Sequence, residues 1–456
     1  MTYETKVAIL GAGVTGMCAA HYLSELLGRE SVLVLEAAQS PGGTTRTECI
    51  DGFRLDWGPN GFLDREPLTL KWVDDLGLTD SLVRANEAAA KRFILKNGNL
   101  VEIKPPPAFM FSPLLSVAGR MRLLCEPFVP QKSNDNPETI WNFAARRIGH
   151  EAADTLVSCM VSGVFGGDAK QLSLEHCFPR MAAMEKEYGT LFKALMSKRR
   201  ANKKTSAMGP SGVLTTFSEG IGFLPAHVAE QLDPRVLFGN GARRITRENK
   251  EYRVETSNGD TVNAQYVIVA MPTYAAADAL ADFDADVAKV LAQIPYADIA
   301  VICTGYSREQ IAHDVNGFGF LVPRSEGKRM LGCLWTSSIF PHEAPDGSVL
   351  LRTMIGGATD PDAVRLSDAQ LLDIVHREVH PLMRVNGAPK FTRIFRHVRG
   401  IPQYLLNHGQ NLEAIAAAEQ RNPGLYFAGN AYRGVGLNDC VVSAVRAVER
   451  LAADDK

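Results

Sequence analysis

The sequence predicts an α/β protein whose central sheet is assembled from separated stretches of chain, with a mixed-sheet region and a helical region inserted between them. Three observations predict it. Near the start, the apolar run at residues 6–10 leads into Gly11-Ala12-Gly13-Val14-Thr15-Gly16 and then into a segment of helical character at 17–23. Far downstream, residues 266–270 read as a buried parallel-type strand ended by Met271-Pro272. Close to the end, Leu425-Tyr426-Phe427-Ala428 reads as a third such strand, followed by Gly429-Asn430 and a helix over 440–451. Strands of one sheet that lie this far apart in the chain make the domain discontinuous.

Strand, glycine turn and helix in that order are the context a GxGxxG pattern needs. Gly11 permits the tight turn, Gly13 lets a pyrophosphate approach the backbone, and Gly16 lets the helix pack close to the strand. Phosphates would then sit on the free N–H groups of the helix N-terminus, with Ala12, Val14 and Thr15 part of the same contact. Residues 31–35 read as the second strand and end at Glu36, twenty residues beyond Gly16. A carboxylate there, with Ala37 beside it, can accept both hydroxyl protons of an adenosine ribose. The bland alternative is a glycine-rich turn that binds nothing. In Pro41-Gly42-Gly43-Thr44-Thr45-Arg46, two glycines bring backbone close to a ligand and Arg46 can reach a pyrophosphate. Alone, this is also a loop with a solvated arginine; after the GxGxxG–Glu36 unit it is the pattern that separates FAD from NAD enzymes. Gly58-Pro59-Asn60-Gly61 then leaves no bulky side chain where a flat ring could lie against backbone. The opening domain is therefore Rossmann-like and FAD-binding.

Composition bounds the rest. At 456 residues the chain is too long for one core, so two or three domains are expected. A net charge of −2 argues against nucleic acid as a partner. The eight cysteines are scattered without a CxxC, which argues against a metal site and fits a reducing compartment. No signal peptide precedes the first strand and no apolar run reaches the roughly 18 residues of a membrane span, so a cytoplasmic location is expected, with peripheral membrane binding left open.

Along the chain, residues 67–82 read as a helix with a stop at Gly77, and 91–95 as a strand ending in an Asn97-Gly98 hairpin turn. The proline run 104–107 marks a domain boundary. Residues 108–206 look mainly helical. The apolar segment 109–115, Arg120, Arg122, Arg146, Arg147 and the basic run 198–204 suggest a surface that docks on anionic lipid, each cation adding roughly 1 kcal/mol; a core segment plus a solvated basic loop is the alternative. Residues 161–168 read as a glycine-rich turn between helices, whose Gly163 and Gly166 either admit a large flat ligand or pack two helices. Residues 220–225 start a helix, 236–238 and 243–245 are strand-like, and 252–256 with 261–264 form a hairpin around Asn258-Gly259. Residues 299–303, 318–323, 330–335 and 349–354 read as antiparallel strands of one mixed sheet able to wall a pocket, and 366–384 as a helix. Gly434-Val435-Gly436-Leu437 aims the last helix N-terminus back at the cofactor, a potential suited to the charge a flavin gains on reduction.

Together these stretches resemble the flavin amine oxidase superfamily and, within it, the oxygen-dependent protoporphyrinogen oxidase family. The match runs over essentially the whole chain. Its most specific string is Gly429-Asn430-Ala431-Tyr432-Arg433-Gly434-Val435-Gly436-Leu437-Asn438-Asp439-Cys440, supported by Gly58-Pro59-Asn60, Ser162-Gly163-Val164-Phe165-Gly166-Gly167-Asp168, Gly317-Phe318-Gly319-Phe320-Leu321-Val322-Pro323 and Gly400-Ile401-Pro402-Gln403-Tyr404. The resemblance implies a p-hydroxybenzoate-hydroxylase-like (glutathione-reductase-like) FAD domain over 1–66, 213–275 and 422–456. It implies a substrate domain over 67–104 and 276–421, and a helical membrane-binding domain over 105–212. It further implies a homodimer, peripheral on the cytoplasmic face of the inner membrane, with ferrochelatase as a downstream contact. The implied reaction turns protoporphyrinogen IX into protoporphyrin IX in three two-electron steps, with O2 or a quinone as acceptor.

That chemistry needs no side-chain nucleophile, and the sequence shows no signature of one. By match to the family, Arg92 would bind a propionate, a pairing that suits a guanidinium; a strand-edge arginine in solvent is its alternative. Leu321 and Leu334 would sandwich the macrocycle, and Met354 stands where many relatives have phenylalanine. Gly163 and Gly166 join this substrate set, with Phe165-Gly166-Gly167 replacing the commoner aromatic-Ala-Gly. Val435, Gly436 and Leu437 would back the flavin ring, next to Gly429 and Asn430. Gly43, Thr44 and Arg46 join the cofactor set, as do Gly58, Pro59, Asn60 and Gly61. Arg244 would touch the adenosine side through backbone, and His397 would lie near the flavin or merely on the surface. The competing readings are the same chemistry on coproporphyrinogen III, an amine or carotenoid oxidase, and a non-catalytic flavin or porphyrin scaffold. Amine oxidases cage their substrate with two aromatics, and here Tyr432 stands alone.

Overall fold

The computed structural model describes residues 1–105, 107–134, 136–200, 212–248 and 250–456. β1 (Thr2–Leu10), the helix Val14–Leu27 and β2 (Val32–Leu35) open the chain, followed by the hairpin β3 (Thr47–Ile50) and β4 (Phe53–Asp56) and the short β5 (Phe62–Leu63). The helix Pro67–Asp75, β6 (Leu82–Arg84) and the hairpin β7 (Phe93–Lys96) and β8 (Asn99–Glu102) precede a helical stretch that runs to Arg200. Then come β9 (Leu214–Phe217), the helix Phe223–Leu232, β10 (Val236–Leu237), β11 (Ala242–Glu248), β12 (Glu251–Thr256) and β13 (Thr261–Val269). β14 (Tyr296–Ser307), β15 (Gly319–Leu321), β16 (Met330–Trp335), β17 (Ser348–Gly356), the helix Asp368–Glu378 and β18 (Phe391–Pro402) follow. The helix His408–Arg421, β19 (Leu425–Phe427) and the helix Leu437–Asp454 close the chain.

The first sheet runs β10-β2-β1-β13-β12-β11, with β19 also paired to β13. β1 lies parallel to β13 along its whole length. The other edge of β13 is shared: β12 pairs antiparallel with its first half and β19 parallel with its last three residues. The hairpin strand and the late parallel strand that the sequence divides are therefore one strand, because nothing between residues 264 and 266 breaks it. Val7, Ile9, Val32, Val34 and Ile268 face one apolar layer and Ala8, Leu10, Leu33, Leu35, Val267 and Val269 the other. Burial on both faces is why these strands read as unbroken apolar runs, and each such Val or Leu contributes roughly 1.5–3 kcal/mol of burial.

The second sheet runs β18-β14-β17-β16-β15-β7-β8, antiparallel except between β15 and β7. β18 is a strand the sequence does not announce. Its Arg393, Arg396 and Arg399 interrupt the apolar pattern, as charges do on an edge strand, and Gly400-Ile401-Pro402 lies inside it.

Other expectations are corrected. The helix begun at Pro67 ends at Asp75, because Gly77 takes φ +70 and Leu78 N–H turns back to the Val73 carbonyl at 2.9 Å; residues 82–84 are strand. The helix expected over 366–384 stops at Glu378 and restarts as His380–Met383. Gly163 is not in a turn: the helix Ser158–Phe165 runs through it and ends at Gly166, whose φ of +55 is a left-handed cap. The arginines expected to face lipid are occupied. Arg147 is fully buried against Glu126 and Glu185, Arg146 pairs with Glu138 and Glu185, and Arg122 donates to the Arg146 and Arg147 carbonyls. Buried cations need such partners. Pro106 of the proline run and residues 201–204 of the basic run lie outside the described residues. Among the described residues, no helix is long and apolar enough to cross a membrane.

Candidate active site

The site begins where β1 ends. Gly11 takes φ +112, and a Cβ there would lie 2.9 Å from the Ala270 carbonyl oxygen. A Cβ on Gly16 would fall 1.8 Å from the Gly11 oxygen, so the helix Val14–Leu27 can sit this close to the strand only with glycine. Gly13 differs from both: a Cβ there would meet no protein atom within 4 Å. It caps a helix whose first turn holds no acidic residue and no side-chain cap, leaving its N–H groups free for an anion. The Gly42-Gly43 loop folds over this turn, with Gly42 N–H on the Ala12 carbonyl at 2.7 Å and the Gly43 Cβ position 3.7 Å from Gly13 Cα.

Glu36 is held at the end of β2 by two backbone donors, Ala12 N–H at 2.7 Å and Ala38 N–H at 2.8 Å. Ala37 lies against Gly241, whose Cβ would come within 2.8 Å of the Ala37 methyl. Arg244, three residues on, turns its guanidinium outward to Asp282 at 3.0 Å.

Further along, Trp57 N–H bonds the Arg46 carbonyl and Gly58 packs under Thr44, where a Cβ would meet the Thr44 oxygen at 2.4 Å. Gly61 is pinned against the Thr215 carbonyl in the same way. At the far end Gly429, φ +140, presents open backbone, and the Asn430 carbonyl accepts from Tyr404 Oη. Gly436 N–H is taken by the Asp439 carboxylate at 3.0 Å, Leu437 enters the core beneath the first sheet, and Val435 packs on the helical cluster around Phe165. His397 is only partly buried on β18, with Nε2 2.8 Å from the Trp57 carbonyl. Since a carbonyl only accepts, Nε2 carries the hydrogen; burial lowers the His397 pKa, so the ring is neutral.

These residues fit an elongated dinucleotide. On these turns four buried polar atoms have no partner, Arg46 Nε, Trp57 Nε1, Asn60 Nδ2 and Asn438 Oδ1, while Gly13 and Gly429 border open space.

The second sheet presents the other wall. Leu321, Gly332 and Met354 are direct cross-strand neighbours, and the row continues through Val301 to Phe395. The adjacent row is Gly319, Leu334, Arg352 and Cys303. Directly opposed residues share a face, so Leu321, Leu334 and Met354 line one surface. Arg92 sits just before β7, next to β15, with its guanidinium 5.2 Å from the Phe318 ring centre. Its side chain is exposed at the rim of this surface, and no carboxylate among the described residues pairs with it. Gly163 crosses over Leu321, where a Cβ would touch Leu321 Cδ2 at 2.8 Å. Gly166 lies apart from Leu334, near Ile401 and Ala297.

Sequence reasoning missed Arg352. It is 4 % exposed, and its Nη2 donates to the Trp57 carbonyl at 3.3 Å and to that of Gly58, tying the second sheet to the first domain's ring-side turn. The signal was one charged residue inside the apolar strand at 349–354.

The chain belongs to the flavin-containing amine oxidoreductase family, whose model matches residues 14–452. It is a flavoprotein oxidoreductase with FAD as its cofactor. Among its relatives, the chloroplastic protoporphyrinogen oxidase of Oryza sativa subsp. japonica is 31% identical over 97% of this chain and 87% of that one. The coproporphyrinogen III oxidase of Bacillus subtilis is 29% identical over 98% and 97%. A crystal structure from Exiguobacterium sp. 255-15, assigned as a protoporphyrinogen oxidase, superposes with TM-score 0.86 at 26% identity over 99% of both chains.

Proposed function

We propose that the chain oxidises protoporphyrinogen IX to protoporphyrin IX in three two-electron steps of porphyrin synthesis, reducing O2 to hydrogen peroxide. The observation that carries this reading is the apolar surface of Leu321, Leu334 and Met354 with one unneutralised guanidinium, Arg92, at its edge. An apolar ring system with propionate arms needs that combination. FAD, when bound, supplies the hydride acceptor and the route of electrons to oxygen. The chain's own part is to hold the macrocycle against the surface of Leu321 and Leu334, which share one face of the sheet rather than sandwiching the ring, anchor a propionate on Arg92 and keep water out. Gly11 to Gly16, Glu36, Arg46, Gly58 to Gly61 and Gly429 to Leu437 serve the cofactor on this reading; Arg244 serves only by its backbone, since its side chain is engaged elsewhere.

The second reading is coproporphyrinogen III as substrate, favoured by the Bacillus relative's name and end-to-end match. Its four propionates ask for more cations than Arg92.

The helical region presents Phe111, Val117, Met121, Leu124 and Phe128, each more than half exposed, and we assign this face to peripheral docking on the cytoplasmic side of the membrane. The chain would act there as a homodimer, passing product to a ferrochelatase. Arg92→Ala tests the slot. KM for protoporphyrinogen IX rises about tenfold or more while kcat holds within a few-fold; an unchanged KM contradicts the assignment.

A further inference from the structure

Behind the ring-side turn lies a set of buried charges that the reaction above does not use. Glu343 is 0 % exposed, and neither of its carboxyl oxygens has a hydrogen-bond partner. Asp56, at the end of β4, is 2 % exposed. Its Oδ1 accepts from Thr47 Oγ1 at 2.6 Å and Ile221 N–H at 3.3 Å, while its Oδ2 has no partner. Arg352 spends Nη2 on the Trp57 and Gly58 carbonyls and leaves Nε unpaired. Apolar groups wall the chamber: Phe53, Leu55, Ala344, Leu350 and Phe395. The charged and titratable groups that face Glu343 are Asp56 and Arg54 from β4, Arg352 from β17 and Cys303 from β14. Arg54 itself is committed to the His342 carbonyl at 2.7 Å, and neutral His397 approaches Arg352 from β18.

An ionised carboxylate with no donor in such a place would cost several kcal/mol. The same carboxyl in its acid form loses that cost, and Asp56, on the strand packed against the 341–343 turn, keeps its own Oδ2 without a partner. We propose that Asp56 and Glu343 hold one proton between them, with Glu343 the neutral acid and Asp56 the anion, and that Arg352 relays this charge state to the carbonyls of Trp57 and Gly58 and so to the flavin. They are positioning residues: none touches substrate. The inference rests on the flavin site and is independent of which porphyrinogen is oxidised. Burial pushes both carboxyls up, Glu343 far and Asp56 to about 6. Below about pH 6 the pair carries two protons and its anion disappears.

Two measurements test this. In the flavin-free protein at neutral pH, infrared difference spectroscopy shows a protonated carboxylic acid that is lost in Glu343→Gln. In the flavin-loaded protein, Asp56→Asn raises the flavin midpoint potential, shifting the reduced-to-oxidised ratio about tenfold, the direction expected when a buried negative charge near the ring is removed. Glu343→Gln leaves that ratio within about twofold, because a neutral acid has become a neutral amide. The difference in midpoint potential between wild type and Asp56→Asn, measured at the same pH, closes as pH falls below about 6. If Glu343→Gln shifts the potential as far as Asp56→Asn, or wild-type protein shows no acid band at pH 7, the one-proton pair is wrong. The infrared arm on wild-type protein decides even where a variant does not fold.

Discussion

At the scale of single residues, the three glycines of the first turn do different jobs. Gly16 and Gly11 are locked by protein atoms, whereas Gly13 borders open space. Gly13→Ala therefore keeps the flavin-free protein's melting temperature within a degree or two while cutting flavin content severely. Gly16→Ala lowers the melting temperature itself, since its Cβ meets backbone that cannot yield. Equal loss of stability in both would contradict the assignment of Gly13 to the ligand. The glycine string and Glu36 were legible because local chemistry dictates them. Arg352, Asp56 and Glu343 were not: what makes them special is each other, and they are brought together from positions nearly 300 residues apart. His397 was half legible, its neighbourhood guessed but its bond to the Trp57 carbonyl invisible in a sequence.

At the scale of elements, the helix Ser158–Phe165 was legible as helical region but not as the lid over Leu321. Its Gly163 was divided between ligand access and packing of two helices, and its nearest neighbour is instead the Leu321 side chain on β15. The atom that a new methyl would displace is the tip of a flexible leucine. Gly163→Ala should then leave thermal stability almost unchanged while raising KM several-fold, because Leu321 moves into the slot; an unchanged KM would place the slot elsewhere. Burial also decides which arginines remain free. Arg146 and Arg147 satisfy Glu126, Glu138 and Glu185, and Glu126 in turn caps the backbone N–H groups of Leu191 and Phe192. A basic sequence pattern cannot show this, since the acidic partners lie 21 to 39 residues away or within a different turn. The membrane docking proposed for this region thus rests on its exposed apolar side chains rather than on those cations.

At the scale of the whole molecule, the second sheet is tied to the turn that follows β4, where Arg352 and His397 reach the Trp57 and Gly58 carbonyls. The sequence announced the first sheet through its glycine turns and unbroken apolar strands. It announced the second as a set of strands, but not their order or the charged edge strand β18. Burial also gives the molecule a pH signature. Seven of its ten histidines, His21, His176, His313, His342, His380, His397 and His408, have pKa values lowered by desolvation. A depressed folded-state pKa means the folded protein binds fewer protons, so this stability is present above the unfolded value of 6.5 and is lost as pH falls. His408, brought down to about 4 with Nε2 donating to the Tyr432 carbonyl, contributes the largest share, on the order of 3 kcal/mol. Melting temperature should fall between pH 6.5 and 4, and His408→Gln should flatten that fall; a flat profile in the wild type would contradict it.

The measurement that tests the central claim most directly is anaerobic mixing of the purified flavin-loaded protein with protoporphyrinogen IX and, separately, with coproporphyrinogen III, following flavin bleaching together with porphyrin fluorescence. The account predicts fast bleaching by protoporphyrinogen IX and slower bleaching by coproporphyrinogen III. The reverse order would transfer the slot to the four-propionate substrate. An unbleached flavin with both would contradict the porphyrinogen oxidase reading altogether.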